Sequence, residues 1–69
     1  MENKFYTGYK DRKEKKIFVG DIIMCLHSGR EYKAIYDAID DEYYLALPSG
    51  KVILSFDCFK QEWLEKKEQ

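Results

Sequence analysis

Between residues 17 and 26 the chain reads Ile-Phe-Val-Gly-Asp-Ile-Ile-Met-Cys-Leu, apolar at both alternating positions after Asp21. A strand with two apolar faces is covered on both sides, so residues 22–26 predict a central strand. Gly20, just before it, takes positive φ at no steric cost and predicts a sharp turn or bulge feeding that strand. Ser28-Gly29 then supplies turn chemistry.

Residues 30–39 fit two periods. As a helix, Tyr32, Ile35, Tyr36 and Ile39 recur at i, i+3, i+4 and i+7, with Ser28 and Glu31 as a capping box. As a strand, Tyr32, Ala34, Tyr36 and Ala38 share one face, opposite Lys33, Ile35, Asp37 and Ile39. The strand is preferred because hairpin-like segments come next; a helix here would make the fold α+β. Asp40-Asp41-Glu42 forms a polar turn, and Tyr43, Leu45 and Leu47 alternate with Tyr44 and Ala46 as a further strand. Pro48-Ser49-Gly50 predicts a type I turn starting at Leu47, with the return strand running from Lys51 to Leu54 or Phe56. Phe56, Phe59, Trp63 and Leu64 then fall on one helical face, with Ser55 or Asp57 as cap and Lys66 and Lys67 in the last turn. If Ser55 caps, Leu54 and Phe59 form a hydrophobic staple. The elements add up to one mainly β domain over residues 1–69: a small SH3-like or related β-barrel with a C-terminal α-helix over about 55–67.

Composition narrows the class. The chain is 45% hydrophobic and 16% aromatic, which excludes a disordered polymer. At 69 residues it buries only about 60% of its unfolded surface, so its core is marginal and calls for a supplement. Met1-Glu2-Asn3-Lys4 opens no apolar signal region, and the longest apolar run, residues 22–26, falls far short of the roughly 18 residues of a membrane span. A cytoplasmic protein without membrane attachment is expected, in which Cys25 and Cys58 stay reduced. Self-association as a homo-oligomer is then the expected supplement.

With 12 basic and 13 acidic residues and a pI near 5.8, the composition argues against a duplex DNA partner. Residues 1–16 carry six bases and three acids, whereas 17–50 carry two bases and six acids. The basic cluster Lys10, Arg12, Lys13, Lys15 and Lys16 reads first as a solvated turn, and alternatively as a weak site for single-stranded nucleic acid.

Tyr6-Thr7-Gly8-Tyr9-Lys10-Asp11, a short spacer, and Lys16-Ile17-Phe18-Val19-Gly20-Asp21-Ile22-Ile23 resemble the signature of the YopX-like proteins of phages and prophages. The pattern there is close to Y-T-G-hydrophobic-K-D, a turn, then K-x-I-aromatic-x-G-D-I-I/V, and the likeness covers residues 6–23. The resemblance implies a small β-rich, barrel-like protein of a mobile element, with no established activity or cofactor. The spacer here reads Arg12-Lys13-Glu14-Lys15 where the family often has Asn-Gly.

Catalytic patterns are absent from the sequence. One His supports no nucleophilic triad, and no phosphate-binding or dinucleotide loop occurs, so no enzyme is expected. Cys25, His27 and Cys58 lack CxxC spacing and a fourth ligand, so neither a metal nor another cofactor is expected. Asp40, Asp41 and Glu42 read first as turn-forming acids and secondarily as an acid/base set or cation ligands, and together with Asp37 as a phosphate-mimicking stripe. The excess of tyrosine is more informative. Tyr32, Tyr36 and Tyr44, beside Ala34, Ala38 and Ala46, have the composition of an interface. The expected function is that of a non-enzymatic phage or prophage accessory protein that self-associates and binds a host or phage protein. An alternative is a module sequestering a nucleotide-like molecule, with Arg30 and Lys33 joining Tyr32, Tyr36 and Tyr44 as contacts.

Overall fold

The computed structural model describes residues 5–67; the leader-free start read at residues 1–4 and residues 68 and 69 lie outside them. Seven strands alternate with tight turns: β1 (Tyr6–Lys10), β2 (Lys16–Phe18), β3 (Ile22–Cys25), β4 (Arg30–Asp37), β5 (Glu42–Ala46), β6 (Ile53–Ser55) and β7 (Leu64–Lys66). The fold is mainly β. β1 and β2 form a two-stranded antiparallel ribbon, and the others form a five-stranded antiparallel sheet in the order β6-β5-β4-β3-β7.

The expected barrel does not close: among the described residues the ribbon and the five-stranded sheet share no strand pairing, and β6 and β7 stand at opposite edges of the sheet. Residues 30–37 are a strand, which sets aside the α+β alternative. The turn at Leu47 forms as expected, with the Gly50 amide donating to the Leu47 carbonyl at 2.7 Å. The expected C-terminal helix is absent. In its place two single 3-10 turns, η1 (Phe56–Cys58) and η2 (Gln61–Trp63), lead into β7. Two physical reasons apply. The i, i+3 spacing of Phe56 and Phe59 suits a 3-10 turn as well as an α-helix, and Phe, Asp and Cys are weak helix formers. The free edge of β3, moreover, offers the last segment a ladder: Ile23, Met24 and Cys25 pair with Lys66, Glu65 and Leu64. The Ser55 hydroxyl still caps, accepting from the Asp57 amide at 3.1 Å, but Lys66 and Lys67 pair with Asp21 and Glu31 rather than facing a helix end.

Side-chain alternation places Ile23, Cys25, Tyr32, Ala34, Leu45 and Leu64 on the inner face, where Ile17 from the ribbon and Phe56 from η1 complete the core. Ile17, Ile23, Ala34 and Leu45 are wholly buried. Burying such an Ile or Leu contributes roughly 1.5–3 kcal/mol.

Motif residues of the 6–23 segment fasten the ribbon to this sheet. The Thr7 hydroxyl donates to the Ile17 carbonyl at 2.8 Å and accepts from the Tyr9 amide at 3.2 Å, within the stretch between Tyr6 and Lys10 where the ribbon's register shifts. Asp21 accepts from the Phe18 amide at 2.8 Å, and Gly20 donates to the Ala34 carbonyl at 2.8 Å, docking the β2–β3 corner on β4. Gly20 sits at φ +100 with open space where a Cβ would be, so only the backbone resists substitution there. Gly20→Ala is expected to lower stability by about 1–2 kcal/mol. The midpoint of urea denaturation checks this, and an unchanged midpoint would refute it.

Candidate functional site

The β4–β5 hairpin carries the most distinctive surface of the molecule. Its strands pair as Asp37↔Glu42, Tyr36↔Tyr43 and Ile35↔Tyr44, which leaves residues 38–41 as the tip. Four interactions fix that tip. The Asp37 carboxylate accepts from the Ile39 amide at 2.9 Å, the local bond to which short acids are suited. Asp41 turns the chain at φ +55, a conformation Asp tolerates better than most residues. The Tyr36 hydroxyl donates to Asp41 at 2.6 Å and the Tyr44 hydroxyl to Asp40 at 3.2 Å, one tyrosine from each face of the hairpin. Tyr36 also packs its ring against Tyr43, with centroids 5.1 Å apart.

The consequence is an apolar side chain held out on a stiff support. Ile39 is 94% exposed, and Asp37, Asp40, Asp41 and Glu42 surround it in sequence, with no Lys or Arg between Lys33 and Lys51. The field of these acids is felt by both tyrosines. The hydrogen bond to Asp41, followed by partial desolvation and the Asp41 charge, pushes the Tyr36 phenol above its ordinary value. Desolvation and then the Asp40 charge do the same for Tyr44. Both hydroxyls therefore stay protonated and donating throughout the neutral range.

The other residues singled out in the sequence do not gather around this tip. Tyr32 is only 5% exposed and meets Phe59 edge-on at 5.3 Å, so it belongs to the core. Tyr36 lies on the same face of β4 as Tyr32, whereas Tyr44, opposite Ile35, lies on the other. These tyrosines and alanines, whose common side the sequence leaves open, are divided between the two sides of the sheet: Ala34 is on the inner side and Ala46, opposite Lys33, on the outer. Arg30 is exposed at the start of β4, six residues or about 20 Å of strand from Tyr36.

The basic cluster is laid against β7. Arg12 and Lys13 approach the Glu65 carboxylate at 3.6 and 3.5 Å, and the Lys16 ammonium sits 5.4 Å from the centre of the Tyr6 ring. Lys10 and Lys16 pair across the ribbon, and the Lys15 amide donates to Asp11 at 2.9 Å. The turn therefore serves as a fastening between the ribbon and the sheet edge. Cys25 is buried and Cys58 exposed, while His27 stacks on Trp63 at 4.1 Å. Among the described residues, no three His, Cys, Asp or Glu side chains converge as metal ligands, and no helix is long and apolar enough to cross a membrane.

Two features escaped the sequence pattern. Asp11 is wholly buried, and its carboxylate collects the amides of Lys13, Lys15 and Lys66 at 2.8–2.9 Å. The position two residues before the first of those amides is where an Asx turn would be sought, but the Lys66 bond spans the chain. The second feature is a cleft of about 340 Å³ where Tyr9 stacks on Phe56 at 4.2 Å, with Lys10, Asp57, Phe59 and Gln61 around it. It arises from the docking of ribbon on sheet, which no local pattern announces. Comparisons with protein-family models, curated proteins and solved structures find no match to this chain.

Proposed function

We propose that the chain is a non-enzymatic accessory protein of a phage or prophage, working in the cytoplasm of a bacterial host, that self-associates and binds a host or phage protein through the β4–β5 hairpin. The observation carrying the reading is the tip: Ile39 is 94% exposed on a loop braced from both faces by Tyr36 and Tyr44. An exposed apolar side chain on a rigid support loses little conformational entropy on docking, which is what makes a small contact effective. The acids around it select a partner with a basic rim and an apolar socket, and steer the encounter electrostatically. The likeness of residues 6–23 to the YopX-like signature supports the phage or prophage origin.

Ile39 contacts too little of the protein to support the fold, so Ile39→Ser is expected to change stability by no more than about 0.5 kcal/mol. Affinity capture from host and phage-infected lysates, run side by side with the wild type and this variant, tests the reading. A protein retained by the wild type and lost with Ile39→Ser, and eluted by moderate salt, is the expected result. If every captured protein is retained equally by the variant, the hairpin is not the binding surface.

A further inference from the structure

The cleft between ribbon and sheet is bordered by polar groups that the fold itself does not use. Its volume is about 340 Å³, at the small end of the roughly 300–1,000 Å³ of small-molecule sites. Tyr9 lies flat on Phe56 at 4.2 Å yet remains 38% exposed, so an aromatic surface is already in place along the cleft, with Phe59 beside it. Among the five bases of residues 10–16, Arg12 and Lys13 approach Glu65, Lys16 lies over the Tyr6 ring and Lys15 is engaged as well. Lys10 alone has a side chain without a partner among the described residues, and it lines the cleft from the ribbon side. On the sheet side stands Asp57 of η1, whose carboxylate accepts no hydrogen bond and meets no cation among the described residues. Burial, followed by the charges of Asp57 and Glu42, pushes the Tyr9 phenol above its ordinary value, which sets the Asp57 charge close to the aromatic surface. Gln61 spends its amide nitrogen on the Asp11 carbonyl at 2.8 Å and the Glu14 carboxylate at 3.2 Å, leaving its carbonyl oxygen as an open acceptor beside the cleft.

We propose that this cleft binds a nucleoside monophosphate with an amino-bearing base, the phosphate at Lys10, the ring against Tyr9 and Phe59, and the exocyclic amine at Asp57 and the Gln61 oxygen. The site is separate from the β4–β5 tip and depends on no part of the hairpin reading. The unused groups select the occupant. A purely apolar ligand would strip water from an ammonium and a carboxylate and give neither a partner. A bare anion gains nothing from the rings, and a bare cation meets Lys10. The ammonium and the two acceptors belong to different layers, ribbon and 3-10 turns, so the ligand that satisfies both carries its anion and its N–H donors at opposite ends of a flat body. A mononucleotide has that order of phosphate, sugar and base. Stacking on an aromatic ring is open to every base, so the choice among bases falls to Asp57 and Gln61. Cytosine and adenine offer them an amine, whereas uracil and hypoxanthine offer a carbonyl oxygen that both acceptors repel. A free aromatic amino acid, with both charges on one carbon, is the competing occupant.

Amide NMR spectra of the full chain, titrated with cytidine monophosphate to about 5 mM, read the place and the affinity together. Shifts confined to residues 8–10 and 56–61 are expected, saturating with a Kd of about 1 mM or tighter, and adenosine monophosphate is expected to give the same. Uridine and inosine monophosphates are expected to bind at least about fivefold more weakly. Lys10→Ala is expected to weaken cytidine monophosphate at least about fivefold while leaving cytidine unchanged. Asp57→Ala is expected to abolish the difference between cytidine and uridine monophosphates. Both side chains are exposed, so the free variants are expected to keep the wild-type spectrum away from the substituted position. An absence of shifts, or shifts at other residues, overturns the site. Equal binding of inorganic phosphate, phenylalanine or uridine monophosphate by the wild type overturns the ligand, and binding that survives both substitutions unchanged overturns the roles of Lys10 and Asp57.

Discussion

Replacing Asp11 by Ala is expected to destabilise the fold by about 3–5 kcal/mol, because it strands three amides and removes a charge they solvate. The side chain is wholly buried and accepts from Lys13 and Lys15 within its own turn and from Lys66 on β7. Its backbone joins in: the Asp11 carbonyl accepts from the Gln61 side chain at 2.8 Å. Burial pushes the Asp11 carboxyl up, and the amides of Lys66, Lys15 and Lys13 together with the Lys15 charge outweigh it, holding the group below its ordinary range. This fixes the sign of the pH dependence. The unfolded chain takes up this proton first, so the contribution is complete above the unfolded value of about 3.9 and is lost as pH falls through the lower folded value. Urea denaturation from pH 7 down to pH 2 should show a steep acid limb in the wild type and a shallower one in Asp11→Asn. Parallel limbs would show that Asp11 is not the group whose protonation loosens the fold.

The second large effect is expected at Phe56. Only 3% exposed, it lies against the core on one side and stacks face to face with Tyr9 at 4.2 Å on the other, so one ring joins ribbon and sheet. Phe56→Ala should remove about 3–5 kcal/mol through lost burial and the cavity left behind, plus about 0.5–1.5 kcal/mol for the stack. Small domains sit at the low end of the usual 5–15 kcal/mol, so this variant is expected to populate unfolded chains at 37 °C. Thermal denaturation followed at 222 nm, with Tyr9→Leu as the milder companion, checks it. If Phe56→Ala melts within a few degrees of Tyr9→Leu, the ring does not join the two layers.

The features legible in the sequence and those hidden from it divide along the range of the interactions. The hairpin turn at Pro48-Ser49-Gly50 and the positive φ at Gly20 are legible because each depends on its immediate neighbours. The strand at 30–37 is legible from the hairpin pattern of residues 40–54 beside it. The face shared by Tyr36 and Tyr43 but not by Tyr44 is not, since it depends on the register that a four-residue tip imposes. The segment after Ser55 misleads for a similar reason. Its apolar spacing suits either helix, and the deciding factor, the open ladder of β3, lies some forty residues upstream. The likeness to a family signature reads differently with the fold in view. Thr7, Gly8, Asp11, Gly20 and Asp21 make the bulge, turn and corner that hold the ribbon in place, so the motif marks the scaffold, while the candidate site lies on a hairpin outside it.

The bond from Lys66 to Asp11 joins residues 55 positions apart, and that separation sets an order of events on the ribosome. Until Leu64–Lys66 emerges, β3 has an unfilled edge, Ile23 and Cys25 lack a neighbour, and the Asp11 carboxylate lacks one of its three donors. Such non-local pairing is slow to form and leaves strand edges exposed in the meantime. Folding of this chain therefore completes only after translation has passed residue 66, and a nascent chain halted a few codons earlier is a substrate for chaperones or proteases rather than a smaller version of the same fold.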